Sequence, residues 1–597
     1  MGVRYTADFE TTTDEDDCRV WAYALCNIDN PDEFIYGNNI DEFFEFCIES
    51  KDNLKIWFHN LKFDASFILT YLFTHGFEHI KDKKEKRDFT FTTLITDMGQ
   101  FYSIEVYFSV KGRNVNKVSF YDSMKIFPNF SVERLAEGFK LPISKLEIDY
   151  NEYREEGHIL TEQEINYIKN DVGIVARALN SMFNRGLTKM TIASDAFSYF
   201  KDHFVGLRKK FPMLPDDVDS AIRKSYRGGF TYVNEVWKGK ETPGGVVLDV
   251  NSLYPYCMTK ELPYGEAILY DGKYNEDKFY PLYIQNLSCV FEIKPGKIPT
   301  IQLKNNLSFI PNEYVKSSKG KIINLTLTKP DLELFLEHYN VYFPVYHGGW
   351  KFKSSSEYFK PYIDYWINEK IKASKEGNPE LRQISKLMLN SLYGRLAISP
   401  RARQKSPFMD KDGVLKFIIE PEATRDTIYI PAASFITSYG RERTIRTSQA
   451  IRDFTIKKYG EDRYYYSDTD SCHANLSDED LEELKDIIQI DDYALGFWAK
   501  EAEFTKGKYL RQKCYIEEID GKANVTVAGL PKYLAPIINF ENFKKGFTTA
   551  GLGVDELINL AKQNNATEEE IKKLHHKFRY KYIKGGVILA DTDFTIK

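Results

Sequence analysis

Asp249 and Asp470 each sit where an apolar strand gives way to a turn, 221 residues apart, and only a fold that lays distant strands side by side can bring them together. Residues 245–249 read as a short buried strand running into a turn and a helix start, Asp249-Val250-Asn251-Ser252-Leu253-Tyr254-Pro255. Asp468-Thr469-Asp470 reads as the tip of a hairpin entered through Tyr464-Tyr465-Tyr466. Such a tip alone is ordinary turn chemistry. The stretch between the two acids narrows the choice. Residues 380–396 read as a helix on which Lys386, Asn390 and Tyr393 fall at i, i+4 and i+7 on one face, while Leu387 and Leu389 fall elsewhere and can pack. A cation, an amide and a ring on one stripe suit a nucleoside triphosphate: charge for phosphate, ring for sugar or base. Arg382, one turn before Lys386, and Lys372 on a preceding helix at 358–374 add positive charge. Asp249 and Asp470 would then hold two divalent cations that bind the triphosphate and activate a 3′-hydroxyl. Asp468 would stand behind them or serve as an alternate ligand.

A second group of acids lies near the N-terminus. Asp8-Phe9-Glu10 places two carboxylates at i and i+2 of a strand, so both leave one face while Phe9 packs on the other. Neighbouring carboxylates repel, and the arrangement makes sense with divalent cations between them. Asp64 closes Asn60-Leu61-Lys62-Phe63-Asp64 at a strand-to-helix junction, and Asp171 lies one helical turn after Tyr167. Four such acids can hold two Mg²⁺ about 4 Å apart, one activating water and one stabilising the leaving oxygen. Tyr167 would orient that water, and Lys145 would neutralise a phosphate beside it.

The first ~190 residues read as α/β, with strands at 5–10, 19–28, 54–58, 90–96, 101–110 and 117–121 and helices around 64–71 and from Thr161, where Thr161-Glu162-Gln163-Glu164 has capping-box spacing. A Pro-, Asn- and Lys-rich region with short strands at 263–358 looks inserted, as does a polar stretch at 400–421, and a long helix covers roughly residues 434–454. At roughly 150 residues per domain, 597 residues suggest about four domain-sized pieces. The net charge of −6 does not argue against nucleic acid, because phosphate binding needs only a locally basic surface. The seven cysteines are scattered and never spaced C-x-x-C, which argues against a disulfide framework or structural zinc and fits a reducing compartment. The N-terminus has no apolar signal region and no apolar run is long enough to span a bilayer, so no membrane association is expected.

In this order the motifs resemble a family B DNA polymerase with its proofreading exonuclease, and more narrowly the protein-primed polymerases of small tailed phages, the phi-29 type. Asp8-Phe9-Glu10, Asn60…Phe63-Asp64 and Tyr167…Asp171 are similar to the three exonuclease motifs. Asp249…Leu253-Tyr254-Pro255, Lys386…Asn390-Ser391-Leu392-Tyr393-Gly394 and Tyr466-Ser467-Asp468-Thr469-Asp470-Ser471 are similar to polymerase motifs A, B and C. Tyr226-Arg227-Gly228-Gly229 resembles the linker between the two activities, and Lys513-Cys514-Tyr515 the element that grips the primer terminus.

The resemblance implies an α/β (α+β multidomain) chain: an RNase H-like 3′–5′ exonuclease domain at 1–190, then a right-hand polymerase. Its palm would span 191–260 and 429–534, its fingers 359–397 and its thumb 535–597. Two inserted subdomains, 261–358 and 398–428, would contact the terminal protein and close over the template tunnel to peel off the displaced strand. The second opens on the basic run Arg401-Ala402-Arg403-Gln404-Lys405. Asp8, Glu10, Asp64 and Asp171 would be the exonuclease metal ligands. Asp249, Asp470 and the backbone carbonyl of Val250 would hold the polymerase metals. Tyr254 would stack under the sugar and exclude a 2′-hydroxyl, Lys372 and Lys386 would bind the triphosphate, and Tyr393 would line the nucleotide pocket. Thr11, His59, Asn60, Phe63 and Ser123 would hold a frayed 3′ end, with Lys145 where the family carries an exonuclease lysine. Tyr226, Gly228, Gly229, Lys513 and Tyr515 would contact DNA. The stretch 571–584, six Lys and Arg with no acid interleaved with Phe578, Tyr580 and Tyr582, would face duplex phosphates.

The implied cofactor is Mg²⁺, with Mn²⁺ able to substitute. The implied partners are primer-template duplex, single-stranded DNA, deoxynucleoside triphosphates and a terminal protein primer. The chain would act as a monomer or a 1:1 complex with that protein in the cytoplasm of a bacterial host, replicating a linear genome with strand displacement. A non-catalytic scaffold, or a nuclease with a degenerate second half, would have lost at least one acid of these motifs. All are present.

Overall fold

The computed structural model describes residues 2–597 apart from 150–151, 204–205, 305–307, 309 and 311–312. Its N-terminal strands are Arg4–Thr11 (β1), Val20–Asn27 (β2), Phe34–Gly37 (β3), Leu54–Phe58 (β4), Glu78–His79 (β5), Thr90–Ile95 (β6), Phe101–Lys111 (β7) and Asn114–Asp122 (β8). Among the described residues they form one sheet in the order β3-β2-β1-β4-β8-β7-β6-β5. β1, β4 and β8 run parallel, and the helices Ile40–Glu49 and Leu61–Thr74 lie in the crossovers that parallel neighbours require. Tyr5, Ala7 and Phe9 enter the core under one face, with Phe43, Phe58 and Ile68. The other face is covered by the helix Glu162–Phe183, which starts with the expected capping box: the Thr161 side chain accepts from Glu164 N–H and the Glu164 side chain accepts from Thr161 N–H. Thr6 ties that helix to the sheet by donating to the Val172 carbonyl at 2.8 Å.

Thr231–Val233 (β9) and Glu241–Val250 (β10) begin a second sheet, and the chain then leaves it. Leu262–Tyr270 (β11), Leu282–Ile293 (β12), Ile323–Thr328 (β13) and Tyr339–Ser355 (β14) form a separate sheet in the order β11-β14-β12-β13. Short strands were expected here; β12 and β14 are instead 12 and 17 residues long. Much of β14 is exposed, including Phe343 and Val345, so no alternation of buried and solvated residues marks it in the sequence. The helix Lys329–His338 was also unanticipated; Pro330 occupies its first turn, where a missing N–H costs nothing.

Lys360–Lys375 and Pro379–Leu396 form a helix pair, joined where Tyr362 Oη donates to the Met388 carbonyl at 2.7 Å. Arg401–Ala402 (β15), Lys405–Met409 (β16), Leu415–Ile419 (β17) and Ala423–Thr424 (β18) nest as β16–β17 within β15–β18. The long helix runs over Ile430–Tyr459, beyond its expected ends, because Pro431 is tolerated in its first turn and Gly460 stops it in the left-handed region at φ +74°.

Tyr464–Asp468 (β19), Ser471–Ala474 (β20), Trp498–Arg511 (β21), Cys514–Ile519 (β22) and Lys522–Val527 (β23) then return to the second sheet. Its order among the described residues is β23-β22-β21-β10-β20-β19-β9, so β10 and β20, far apart in sequence, are neighbours.

The chain ends in the hairpin Lys577–Ile583 (β24) and Gly586–Thr592 (β25). Within 571–584, Lys572, Lys573, Arg579 and Lys584 are exposed, while other side chains are engaged by the rest of the chain. Tyr580 and Tyr582 pack against the N-terminal core, Lys581 pairs with Glu15, and Lys573 pairs with Glu569 and Glu133. The segment has no acid of its own, but folding supplies acids from elsewhere. No disulfide joins the cysteines of the described residues, and none of their helices is long and apolar enough to cross a membrane.

Candidate active sites

In the first site, β1 presents Asp8 and Glu10 on one face, the first turn of Leu61–Thr74 presents Asp64, and Glu162–Phe183 presents Tyr167 and Asp171. Glu10, Asp64 and Asp171 are buried. Burial, then the charge of Asp171, pushes the Asp8 carboxyl up to about 7. Burial and then Asp8 hold Glu10 and Asp64 well above the ordinary carboxylate range. Burial also raises Asp171, although Lys145 Nζ lies 2.5 Å from its Oδ2 and 3.4 Å from Tyr167 Oη. Oδ1 of Asp64 and Oδ1 of Asp171 are buried with no hydrogen-bond partner. Among the described residues no three acids, histidines or cysteines close into a ready cage; the acids meet as repelling pairs. Orphaned oxygens on mutually repelling, buried carboxylates are the donor set that divalent cations fit.

Around these acids the expected strand contacts divide. Asn60 opens the helix in the left-handed region at φ +73°, half-buried beside Phe63, and Thr11 ends β1 just beyond Glu10. His59 and Ser123 are bonded to each other. Ser123 is fully buried. His59 Nε2 bonds the Phe130 carbonyl at 2.8 Å and so carries the proton, leaving Nδ1 to accept from the Ser123 hydroxyl at 2.8 Å. Burial holds this imidazole below its usual value, so it stays neutral. The pair thereby fixes the chain next to the Asn60 turn.

In the second site, Asp249 on β10 faces Ser471 on β20, and Val250 N–H donates to the Asp470 carbonyl at 2.8 Å. The two acids that opened the sequence reading are thus joined. Burial, then Asp470 and Glu501, pushes Asp249 up to about 7 against the opposing charge of Lys386. Burial likewise raises Asp470. Glu501 was missed. Pairing of β10 with β21 runs Val247–Ala502 and then Leu248–Lys500, so Glu501 is the extra residue of a bulge, which re-aims its side chain toward the acids. No one-strand pattern announces a bulge.

Asp468 is not a free ligand. Lys513 Nζ holds it at 2.8 and 3.0 Å, and the Tyr466 and Thr231 hydroxyls donate to it at 3.2 and 3.1 Å, so it positions Lys513. The Tyr515 ring lies 5.0 Å from that of Tyr466.

The helix stripe read from the spacing forms. Arg382, Lys386 and Asn390 are exposed on one helix, and Tyr393 stacks on Tyr254 at 4.1 Å between centroids and 27°. Burial, then Tyr226, pushes the Tyr393 hydroxyl up to about 12. Lys372 is exposed on the preceding helix. Burial, then the charges of Arg382 and Lys386, lower Lys370 two residues before it, a neighbour of the stripe that motif spacing did not single out.

The linker Tyr226–Gly229 runs between these parts. Arg441 Nη1 donates to the carbonyls of Arg227 and Gly228, each at 2.9 Å, and Gly229 passes so close to the hairpin tip that a Cβ there would lie 2.6 Å from the Thr469 side chain.

The raised Asp249 carboxyl sets a pH dependence. The folded state binds this proton more tightly than the unfolded chain, so stability is fully present below about pH 4 and is lost as pH rises toward about 7. Asp249→Asn should therefore raise the Tm of the metal-free protein at pH 8, with the gain vanishing below pH 4. Calorimetry in chelator checks this, and an unchanged Tm at pH 8 would count against the charge repulsion described.

A family model described as DNA polymerase type B, organellar and viral, matches residues 47–489. The DNA polymerases of Bacillus phage M2 and Bacillus phage phi29 are each 41% identical to this chain, across 99% of both chains in each comparison. That of Streptococcus phage Cp-1 is 32% identical over 100% of this chain and 99% of its own. The solved structure of phi29 DNA polymerase with primer-template DNA and incoming nucleotide superposes with a TM-score of 0.88 at 39% identity, covering 100% of both chains. With the paired acids and the helix stripe already in place, these likenesses show that the chain belongs to the type B DNA polymerases, among the phi29-type phage enzymes, and catalyses template-directed DNA synthesis.

Proposed function

We propose that the enzyme replicates a linear phage genome from a terminal-protein primer, displaces the non-template strand, and proofreads through a separate 3′–5′ exonuclease. The observation that carries this reading is the presence of two clusters of buried, repelling acids on two different sheets. Residues 1–190 would form the exonuclease domain, 191–260 and 429–534 the palm, 359–397 the fingers and 535–597 the thumb. The insertions 261–358 and 398–428 would serve the terminal protein and the template tunnel. Relatives have been solved with primer-template DNA and with single-stranded DNA, the two forms of substrate such a pair of sites requires.

Asp8, Glu10, Asp64 and Asp171 would hold the divalent ions of the exonuclease, and Asp249, Asp470 and the Val250 carbonyl those of the polymerase. Bound there, Mg²⁺ or Mn²⁺ supplies Lewis acidity for the attacking and leaving oxygens. The chain's own residues do the rest. Lys372, Arg382 and Lys386 take up triphosphate charge, Tyr254 stacks under the sugar, Tyr393 lines the nucleotide pocket, and Lys513, held by Asp468, meets the primer end. Near the exonuclease acids, Tyr167 orients water while Lys145 offsets phosphate charge.

Protein priming is tested by incubating the enzyme with a candidate terminal protein, labelled dATP and Mg²⁺ or Mn²⁺. Label attached covalently to that protein is expected. Label found only in DNA, with a DNA primer required for it to appear, would refute the priming role.

A further inference from the structure

Tyr580 lies 516 residues after Asp64 in sequence, yet it stands at the exonuclease site. Asn60 Nδ2 donates to its hydroxyl at 3.1 Å. Its ring centroid is 6.1 Å from that of Phe63, tilted by 58°, and Lys62 Nζ sits 4.7 Å from the ring centre. The charges of Asp64 and Asp122 reach its hydroxyl, which burial above all holds above the ordinary phenol range.

The placement is built into the fold. Val587 on the paired strand is fully buried in the same core as Phe67, and a Cβ on Gly586 would fall 2.5 Å from the Phe67 ring, so the hairpin rests on the helix Leu61–Thr74 at a distance only glycine allows. Cys18 Sγ donates to the Val587 carbonyl at 3.8 Å, and Lys581 pairs with Glu15. Tyr580 and Tyr582, at i and i+2 of β24, share one strand face, and both pack against the N-terminal core.

We propose that Tyr580 is a positioning residue of the exonuclease site, lent by the C-terminal hairpin: its ring adjoins that of Phe63 to form the wall against which the terminal base of a single-stranded 3′ end stacks, and its hydroxyl aims Asn60 at that nucleotide. This rests on the proofreading reading above. Two tilted rings flanked by a lysine form a sequence-tolerant stacking platform for a base, set beside acids that would cut its phosphodiester.

The test uses the full-length enzyme with Mg²⁺ and a 5′-labelled oligodeoxythymidine, following digestion over a range of substrate concentrations. Loss of one stacking wall in Tyr580→Leu should raise KM on the order of tenfold with kcat within about twofold. Tyr580→Phe keeps the ring and loses the bond to Asn60, and should raise KM about threefold. A thermal melt matching the wild type shows that each variant folds. If the leucine variant does not fold, the phenylalanine variant decides the matter. Unchanged KM in the folded variants overturns the proposal, and so does faster digestion, which would make Tyr580 a plug instead of a wall. Failure of the wild-type enzyme to digest the oligonucleotide would sink the proofreading reading itself, a result distinct from equal digestion by wild type and variants.

Discussion

Asp470→Asn is expected to stop primer extension while leaving 3′–5′ digestion of single strands within about twofold of wild type. Asp249 on β10 and Asp470, in the turn that enters the neighbouring β20, are each raised by burial and by other acids. Replacing one carboxylate with an amide removes a charged ligand. Metal stabilisation of the transition state is worth several kcal/mol, about a thousandfold in rate at ~1.4 kcal/mol per decade. The first acid cluster is built around another sheet, which carries Asp8 and Glu10, so the loss should not spread to it. Extension of a labelled primer and digestion of a labelled single strand, measured on one preparation, report both activities. A parallel fall in the two rates would mean that the sites are not independent.

The double variant Asp8→Ala, Asp64→Ala should behave in the opposite way, losing about a thousandfold or more of digestion while extension persists. Burial and mutual repulsion raise both carboxyls, so their removal also relieves strain, and the variant should melt no lower than wild type in chelator. Products ending in mismatches should then accumulate. Digestion that survives both substitutions would remove these acids from the role.

Much of both sites was legible in the sequence because their acids occupy positions where local geometry dictates the side chain's direction. Asp8 and Glu10 share a strand face by the two-residue repeat, and Arg382, Lys386, Asn390 and Tyr393 share a helix stripe by the 3.6-residue repeat. The capping box at Thr161 and the hairpin through Asp468 were equally local. Contacts that depend on a partner from elsewhere in the chain left no such mark: the Ser123 hydroxyl bonds His59, Lys513 reaches Asp468, and Lys370 feels Arg382 and Lys386.

The order of motifs, the periodic faces and the residue chemistry determined by themselves that this chain carries two acid clusters and a helix stripe of Arg382, Lys386, Asn390 and Tyr393. Tertiary structure alone decided that β10 lies beside β20, that a bulge turns Glu501 toward Asp249, and that Leu415 and Val587 complete the N-terminal core, with Tyr580 packed against it. The physical reason is the range of the interactions. Backbone periodicity and capping act over a few residues and leave a mark in sequence, whereas sheet pairing, bulges and core packing join segments hundreds of residues apart whose complementarity exists only once the chain has folded.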